Sequence, residues 1–320
     1  MRSVPLWGRR WRILVTDKED AEALNVSDLH CIFEVHKKME RGGFYAMVRI
    51  YNMNAETENK IIEEGDRLVI EAGYAGSGQE NDIGQYGKIF DGQIIYASRR
   101  REGNTDYILT LSAIDGDLPL NLNYIAKTVN KGINQRQVIE TVCSISEEKT
   151  PVAEITGGLS EQQLPRGKVF FGRPFDYIED VCRGNGALYY VEDGALTVTK
   201  LSDVNEDEAL VISPETGLIG LPQQVEFGVT FKTLLNPAIR MKTKIKLSHT
   251  EVSEREVTPG QNGAKQMPLD EEWIYQACEV VHRGDTRGEE WYTEVQGLSR
   301  HGKGSLPAIM ANEHTNANGV

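Results

Sequence analysis

Residues 273 to 298 hold two runs rich in aromatic and β-branched side chains, one ending near Val281 and one starting at Trp291. Between them lies a short polar stretch with Gly284, Asp285 and Gly288. Residues that fit a pleated surface flank residues that form turns, so the segment reads as a β-hairpin. With a side-chain period of two, Trp291, Thr293 and Val295 share one face, and Tyr292, Glu294 and Gln296 the other. One face suits a core, the other water or a partner. Nothing in the segment is set up for chemistry, so His282, Gly284, Asp285, Gly288 and Trp291 are read as a structural and assembly hairpin.

The same alternation dominates the first third of the chain. Cys31, Phe33 and Val35 alternate with Ile32, Glu34 and His36, and Phe44, Ala46, Val48 and Ile50 with Tyr45, Met47 and Arg49. Both runs fit strands joined through a loop at Glu40 to Gly43. Further strands are expected at 11–16, 67–74, 88–98 and 105–114, with a polar loop at 76–84 and a charged turn from Arg99 to Asn104. Asn54 is placed to cap a helical turn closed by Gly65. Five or six strands in about 100 residues without an intervening long helix point to a small barrel or sandwich.

The pattern then changes. Asn134 and Gln137 have capping-box spacing, Ile133 can staple onto Val138, and Val138, Ile139, Val142 and Cys143 share a helical face. A second helix starts at Pro174, with Phe175, Ile178 and Cys182 on one stripe and Gly184 as its stop. A hairpin at 187–199 turns on Asp193-Gly194. Strands return at 208–212, 223–233 and 238–248, followed by a polar loop at 250–268, the hairpin at 273–298 and a flexible tail from Arg300. The expected fold is mainly β with an α+β insert. It has two tube-type, barrel-like β domains (1–119 and 206–299), a small α/β middle region (120–205) and a tail (300–320). The layout of strand, polar loop, strand, charged glycine turn and strand at 67–114 recurs at 238–298, which suggests two similar β units.

Lys and Arg number 35 against 48 Asp and Glu, a formal charge of −13. That balance keeps a protein soluble and disfavours binding to nucleic acid or anionic membranes. Cys31, Cys143, Cys182 and Cys278 are scattered without a Cys-x-x-Cys pair, which points to reduced thiols rather than disulfides or a zinc ribbon. No apolar run has signal-peptide or membrane-span length, so a soluble protein without a cleaved signal is expected.

Candidate chemistry is sparse. Glu34 and His36 share a strand face, but His30 would lie about 20 Å from His36 at strand rise, too far for one metal site. His282, Asp285 and Glu289 could suggest acid–base work, although a tight turn needs Asp and Gly for backbone reasons alone. Arg283-Gly284-Asp285 spells an adhesion tripeptide, a three-letter match that chance explains. The glycines give no dinucleotide fingerprint or P-loop, and neither Gly-x-Ser-x-Gly nor His-Glu-x-x-His occurs. We expect no enzyme, no cofactor and no metal.

Three stretches together resemble the baseplate hub proteins of contractile-tailed bacteriophages, the group of late-control protein D and the hub part of type VI secretion spikes. They are Ile50–Met53 leading through Gly65–Tyr74 to Ile89–Ile94, then Gly228–Pro237, then His282–Trp291. The resemblance implies a homotrimer whose six β units form a pseudo-sixfold ring, adapting a hexameric tail tube to a trimeric central spike and leaving a channel for DNA. The implied partners are the spike or needle protein, the tube or tube-initiator protein, wedge proteins and the tape measure protein, with no membrane and no specific nucleic-acid binding. The implied location is the virion tail baseplate, reached from the host cytoplasm during assembly. Such a ring would gain from acidic lumen-facing strands that do not hold phosphate. The polar face of the 273–298 hairpin and its turn would then serve as ring contacts or lumen wall. Alternatives are a receptor- or carbohydrate-binding β protein, favoured by Tyr189, Tyr190 and Tyr292, or a hub with cell-wall hydrolase activity.

Overall fold

The structure is a computed structural model that describes residues 8–16, 23–39, 43–76, 85–103, 105–115, 124–145, 150–200, 203, 208–225, 228–248, 254–255 and 273–299. The expected tail, nearly all of the 76–84 loop, and all of the 250–268 loop but residues 254 and 255 lie outside the described residues.

The chain is mainly β with a smaller α component, as the alternation predicts. The first half supplies β1 (Arg9–Thr16), β2 (Ala23–Asn25), β3 (Cys31–Lys38), β4 (Tyr45–Tyr51), β5 (Arg67–Tyr74), β6 (Gln85–Glu102) and β7 (Asp106–Ile114), with helix α1 (Ala55–Glu64) before β5. Asn54 caps α1 by accepting from the Thr57 amide at 2.7 Å, and Gly65 closes it. The middle holds β8 (Ile125–Val129), α2 (Gln135–Ile145), β9 (Val152–Ile155), β10 (Lys168–Gly172), α3 (Pro174–Asn185), β11 (Leu188–Glu192) and β12 (Ala195–Thr199). The second half follows with β13 (Leu210–Ile212), a 3-10 turn at Pro214–Thr216, β14 (Leu218–Val225), β15 (Gly228–Leu234), β16 (Lys244–Leu247), β17 (Glu254–Arg255), β18 (Ile274–Asp285) and β19 (Trp291–Ser299).

Local signals held where the bonding is local. Asn134 and Gln137 form the reciprocal capping box, 2.9 Å each way, and Val138, Ile139, Val142 and Cys143 are the buried face of α2. Asp193 and Gly194 both take positive φ, 54° and 76°, as a two-residue hairpin turn requires.

Four boundaries differ from expectation. Gly184 lies inside α3, and Gly186, with φ 60°, ends it in the left-handed region. Arg99–Arg101 are not a turn but the extension of β6, held by cross-strand pairing to β7. The expected strand 223–233 is an antiparallel hairpin, β14 and β15. The expected strand 238–248 is reduced to β16. Asn236 and Thr243 fold 236–243 into turns: the Asn236 side chain accepts from the Ala238 amide at 2.9 Å, and the Thr243 hydroxyl accepts from the Arg240 amide at 2.9 Å.

Among the described residues fourteen strands join in one sheet, in the order β17-β14-β15-β19-β18-β3-β4-β7-β6-β5-β1-β2, with β16 on β18 and β13 on β16. The two halves repeat one pairing scheme. In the first, β3–β4, β4–β7, β7–β6 and β6–β5 pair antiparallel; in the second, β14–β15, β15–β19, β19–β18 and β18–β16 do the same. Even the irregularity recurs. β6 shifts register between Ile94 and Tyr96, and β18 between Ala277 and Glu279. Counting ladder partners from these bulges aligns Arg100 with Arg283, and counting along the hairpins aligns Glu34 with Gln223. The outer strands differ, since β1 runs antiparallel to β5 whereas β13 runs parallel to β16.

The described residues form three cores. The first lies under the first half but includes Leu235 and Trp291 from the second. The second belongs to the middle region, and the third, under the second half, includes Met39, Phe44 and Tyr190. No helix among the described residues is long and apolar enough to cross a membrane.

Candidate functional site

The hairpin singled out in the sequence is β18–β19, and it sits where the two halves join. β3 pairs antiparallel with β18 from Lys38 opposite Glu279 to Ile32 opposite Asp285. Strand alternation sends His282, Gly284 and Trp291 to the core side, and Arg283 and Asp285 to the other.

On the core side each residue answers a packing demand. Trp291 is 2% exposed, meets Phe33 and Trp11 edge-on with centroids 5.4 and 5.8 Å away, and donates its indole N–H to the Gly73 carbonyl at 3.2 Å. Gly284 lies against the Phe33 ring so closely that a Cβ would fall 2.2 Å from Phe33 Cζ, so only glycine leaves room for that ring. His282 is buried with its Nδ1 2.9 Å from Thr293 Oγ1. Burial, with a smaller contribution from the Lys37 charge, pushes its pKa down to about 3, so it is neutral at physiological pH.

The turn is tied to the first half. Asp285 Oδ1 accepts from the Arg287 and Gly288 amides at 2.9 and 2.7 Å and faces His30 Nε2 at 2.8 Å. Burial works against the Asp285 charge, but the Arg287 amide, the His30 side chain and the Gly288 amide outweigh it and hold the carboxyl below its ordinary pKa. A Cβ on Gly288 would fall 2.3 Å from Asp285 Oδ2. The Thr286 amide donates to Cys31 O at 3.0 Å, and its hydroxyl accepts from the Cys31 amide at 2.9 Å. The Arg9 guanidinium donates to the carbonyls of Gly288 and Glu289. The turn is therefore a clasp between the halves.

The structure does not bring His282 and Asp285 into one site: His282 bonds Thr293 inside the core, while Asp285 serves the turn and His30. Nor do His30, Glu34 and His36 converge. His30 stacks on Tyr51, and Glu34 meets His36 at 2.6 Å and Arg283 at 2.7 Å. Among the described residues no cluster could hold a metal ion. The face turned from the core carries a row of alternating charge across four strands: Lys232, Glu294, Arg283 and Glu34, with Lys232 3.2 Å from Glu294. Acid is met by base along this row.

Sequence reading missed Arg9, His30 and Thr286, whose roles depend on partners more than 250 residues away. It also missed the joint with the middle region. There the Asp193-Gly194 turn donates both backbone amides to the Asp115 carboxylate at 2.6 and 2.9 Å, Lys37 meets Glu192 at 2.7 Å, and Lys88 and Arg240 meet Asp193 at 3.0 and 3.2 Å. Burial raises the Asp115 pKa from 3.8 to about 7, against the pull of the two amides. Between those values the folded state binds more protons than the unfolded one, so this contribution is complete below about pH 4 and lost as pH rises through 7. Asp115→Asn is expected to remove up to about 4 kcal/mol of pH-dependent stability over that window, read as a flatter plot of denaturation midpoint against pH.

The comparisons fit this architecture. The profile of the family described as Baseplate hub gp41 matches residues 45–251. A search of curated protein sequences finds no match. Among solved structures, the 43 kDa tail protein of prophage MuSo2 from Shewanella oneidensis aligns with TM-score 0.58 and 8% identity over 91% of this chain and 97% of that one. The E. coli c3393 protein, described as a component of the type VI secretion system with structural similarity to the T4 tail proteins gp27 and gp5, aligns with TM-score 0.55 and 10% identity over 88% and 76%. A chain of the Francisella PdpA–VgrG complex aligns with TM-score 0.57 and 8% identity over 94% and 60%. At these identities the structures share the fold, while the profile, spanning well over half the sequence, carries the family. The chain belongs to the baseplate hub gp41 family and is a structural protein of a phage tail baseplate.

Proposed function

We propose that three copies of this chain form a pseudo-sixfold ring that adapts a hexameric tail tube to a trimeric spike and leaves a channel for DNA. The observation that carries this reading is the repeated pairing scheme: each chain presents two β units with the same strand order and the same bulge. A threefold assembly of such doubled chains offers six similar edges, which is what matching a sixfold to a threefold neighbour requires. The divisions near 120 and 205 mark these units in sequence, with the middle region held against both by Asp115, Lys37 and Arg240. The assembly role of the 282–291 hairpin is then indirect: it fixes the angle between adjacent units. No catalytic step is assigned. The likeness to a chain of the PdpA–VgrG complex supports a spike-type protein as one neighbour. Tube, wedge and tape measure proteins follow from the adaptor role, and assembly in the host cytoplasm from the same reading.

The test is solution mass at low micromolar protomer concentration by light scattering or sedimentation equilibrium. The expected result is a species of three times the 35.8 kDa chain. A strict monomer at all concentrations up to about 100 µM, some hundredfold above the Kd of an ordinary micromolar interface, would overturn self-assembly as a property of this chain.

A further inference from the structure

The three most exposed large apolar side chains among the described residues lie together on the middle region: Tyr124 at 73%, Phe171 at 73% and Val169 at 63%. Val169 and Phe171 stand on the outer face of the β8–β10 ribbon, whose inner face buries Ile125 and Phe170. Tyr124 lies beside them, its ring edge-on to that of Phe171 with centroids 6.4 Å apart. Residues 124–135 and 162–175 also carry Lys127, Lys131, Arg166, Lys168 and Arg173 and no acid, in a chain of net charge −13. Of these cations, Arg173 is answered by Asp176 of α3 at 2.8 Å. Single exposed apolar residues mean little, but a cluster rimmed by charge of one sign marks a contact surface.

The ribbon also ends in an open strand edge. Among the described residues β10 pairs with β8 alone. The Phe171 amide donates to the Tyr177 hydroxyl at 2.8 Å, and that hydroxyl donates to the Phe171 carbonyl at 3.1 Å. Both backbone groups therefore point away from β8, and strand alternation points the amide and carbonyl of Val169 the same way. Tyr177, from α3, gives Phe171 the two bonds that a neighbouring strand would give. An edge of this kind is a template for a further strand: its backbone groups supply affinity, and the side chains around it select which strand.

We infer that the β10 edge binds an extended acidic segment of another baseplate protein, added to the ribbon as a third strand. A baseplate supplies such neighbours whether or not this chain forms a ring. The segment's backbone takes the bonds of Val169 and, by displacing the Tyr177 hydroxyl, those of Phe171. Its side chains alternate: apolar ones extend the Val169–Phe171 face, and carboxylates fall on the face of Lys168, whose ammonium lies over the Phe170 and Tyr177 rings. A second copy presenting this same edge would set like charges against each other. Nucleic acid would use the cations and the aromatic rings but leave the Val169 backbone groups unused.

The probe is a short synthetic peptide of alternating glutamate and valine, blocked at both ends, fluorescently labelled and titrated into the full chain. Expected is a Kd of about 10–100 µM at low salt, rising as salt screens the charges, with slowed hydrogen exchange at the Val169 amide. A peptide with lysine in place of glutamate, and a fully N-methylated one, should each bind at least about tenfold more weakly. Val169→Thr with Phe171→Thr alters only exposed side chains, so the fold is kept, and should weaken binding about tenfold at unchanged solution mass. Tyr177→Phe, which releases the Phe171 groups, should tighten it about threefold. No binding at about 1 mM peptide, or equal binding of the N-methylated form, overturns the added strand. So does binding of single-stranded DNA or phosphatidylglycerol vesicles at this patch without binding of the peptide. A lower mass of the Val169/Phe171 variant would make the patch a contact between copies, with the same consequence. A trimer that ignores the peptide leaves the ring standing and loses this site; a monomer that binds it loses the ring and keeps the site.

Discussion

Trp291→Ala is expected to destabilise the chain by about 3–5 kcal/mol, the usual loss for a large aromatic side chain removed from a packed core. The residue belongs to β19 in the second half, yet its ring fills the first core between Phe33 and Trp11 and holds the Gly73 carbonyl with its indole N–H. Its loss leaves a cavity and an unpaired carbonyl at the seam between the halves. Denaturant unfolding at fixed protomer concentration measures this, since assembly makes apparent stability depend on concentration. The Trp291→Phe variant keeps most of the volume and should lose less, which separates packing from the hydrogen bond. A loss below about 1 kcal/mol for Trp291→Ala, the size of a surface effect, would place the ring outside the core.

Glu192→Ala should cost about 3–5 kcal/mol, because it strands the Lys37 ammonium. Lys37 is 6% exposed, its Nζ lies 2.7 Å from Glu192 Oε1 and 5.5 Å from the centre of the Phe44 ring, and its charge also acts on Asp115 and His282. A pair this deep gains little over apolar side chains of the same shape, but breaking it leaves an uncompensated charge. The double replacement Lys37→Met with Glu192→Leu should therefore fall within about 1.5 kcal/mol of the original chain. Equal losses from the single and double variants would show that the ion pair itself, rather than the stranded charge, supplies the stability. The same variants probe the joint, since β3 and β11 are held together there. Hydrogen exchange at the Asp193 and Gly194 amides, which bond Asp115 across this joint, should accelerate in Glu192→Ala and not in the double variant.

The proposed ring and these two residues bear on one mechanical question: what keeps the two β units of a chain at a fixed angle. Within the chain the answer is the β3–β18 ladder, the Trp291 anchor and the clasp of Arg9, His30 and Thr286 on the 285–290 turn.

Local chemistry was legible in the sequence. Period-two alternation found β3, β4, β5 and β7, and cap and turn residues found α1, α2 and the Asp193-Gly194 hairpin, because each depends on bonds spanning a few residues. The core face of Trp291 was also visible from the alternation, whereas Gly284, read as a turn residue, lies inside β18 against the Phe33 ring. What failed were boundaries set by neighbours. β6 runs on through Arg99–Arg101 because β7 supplies a ladder for it, and an apparent single strand at 223–233 is two because β15 pairs with β19.

Only the tertiary structure decided what the hairpin is for. By itself the sequence determined its strands, its turn and its two faces. It could not show that one face closes the core of a unit more than 200 residues earlier, that its turn is held by Arg9 and His30, or that Lys37 and Asp115 are buried against the middle region. Those facts rest on pairing and burial between residues far apart in the chain, where no spacing or period carries information about the partner.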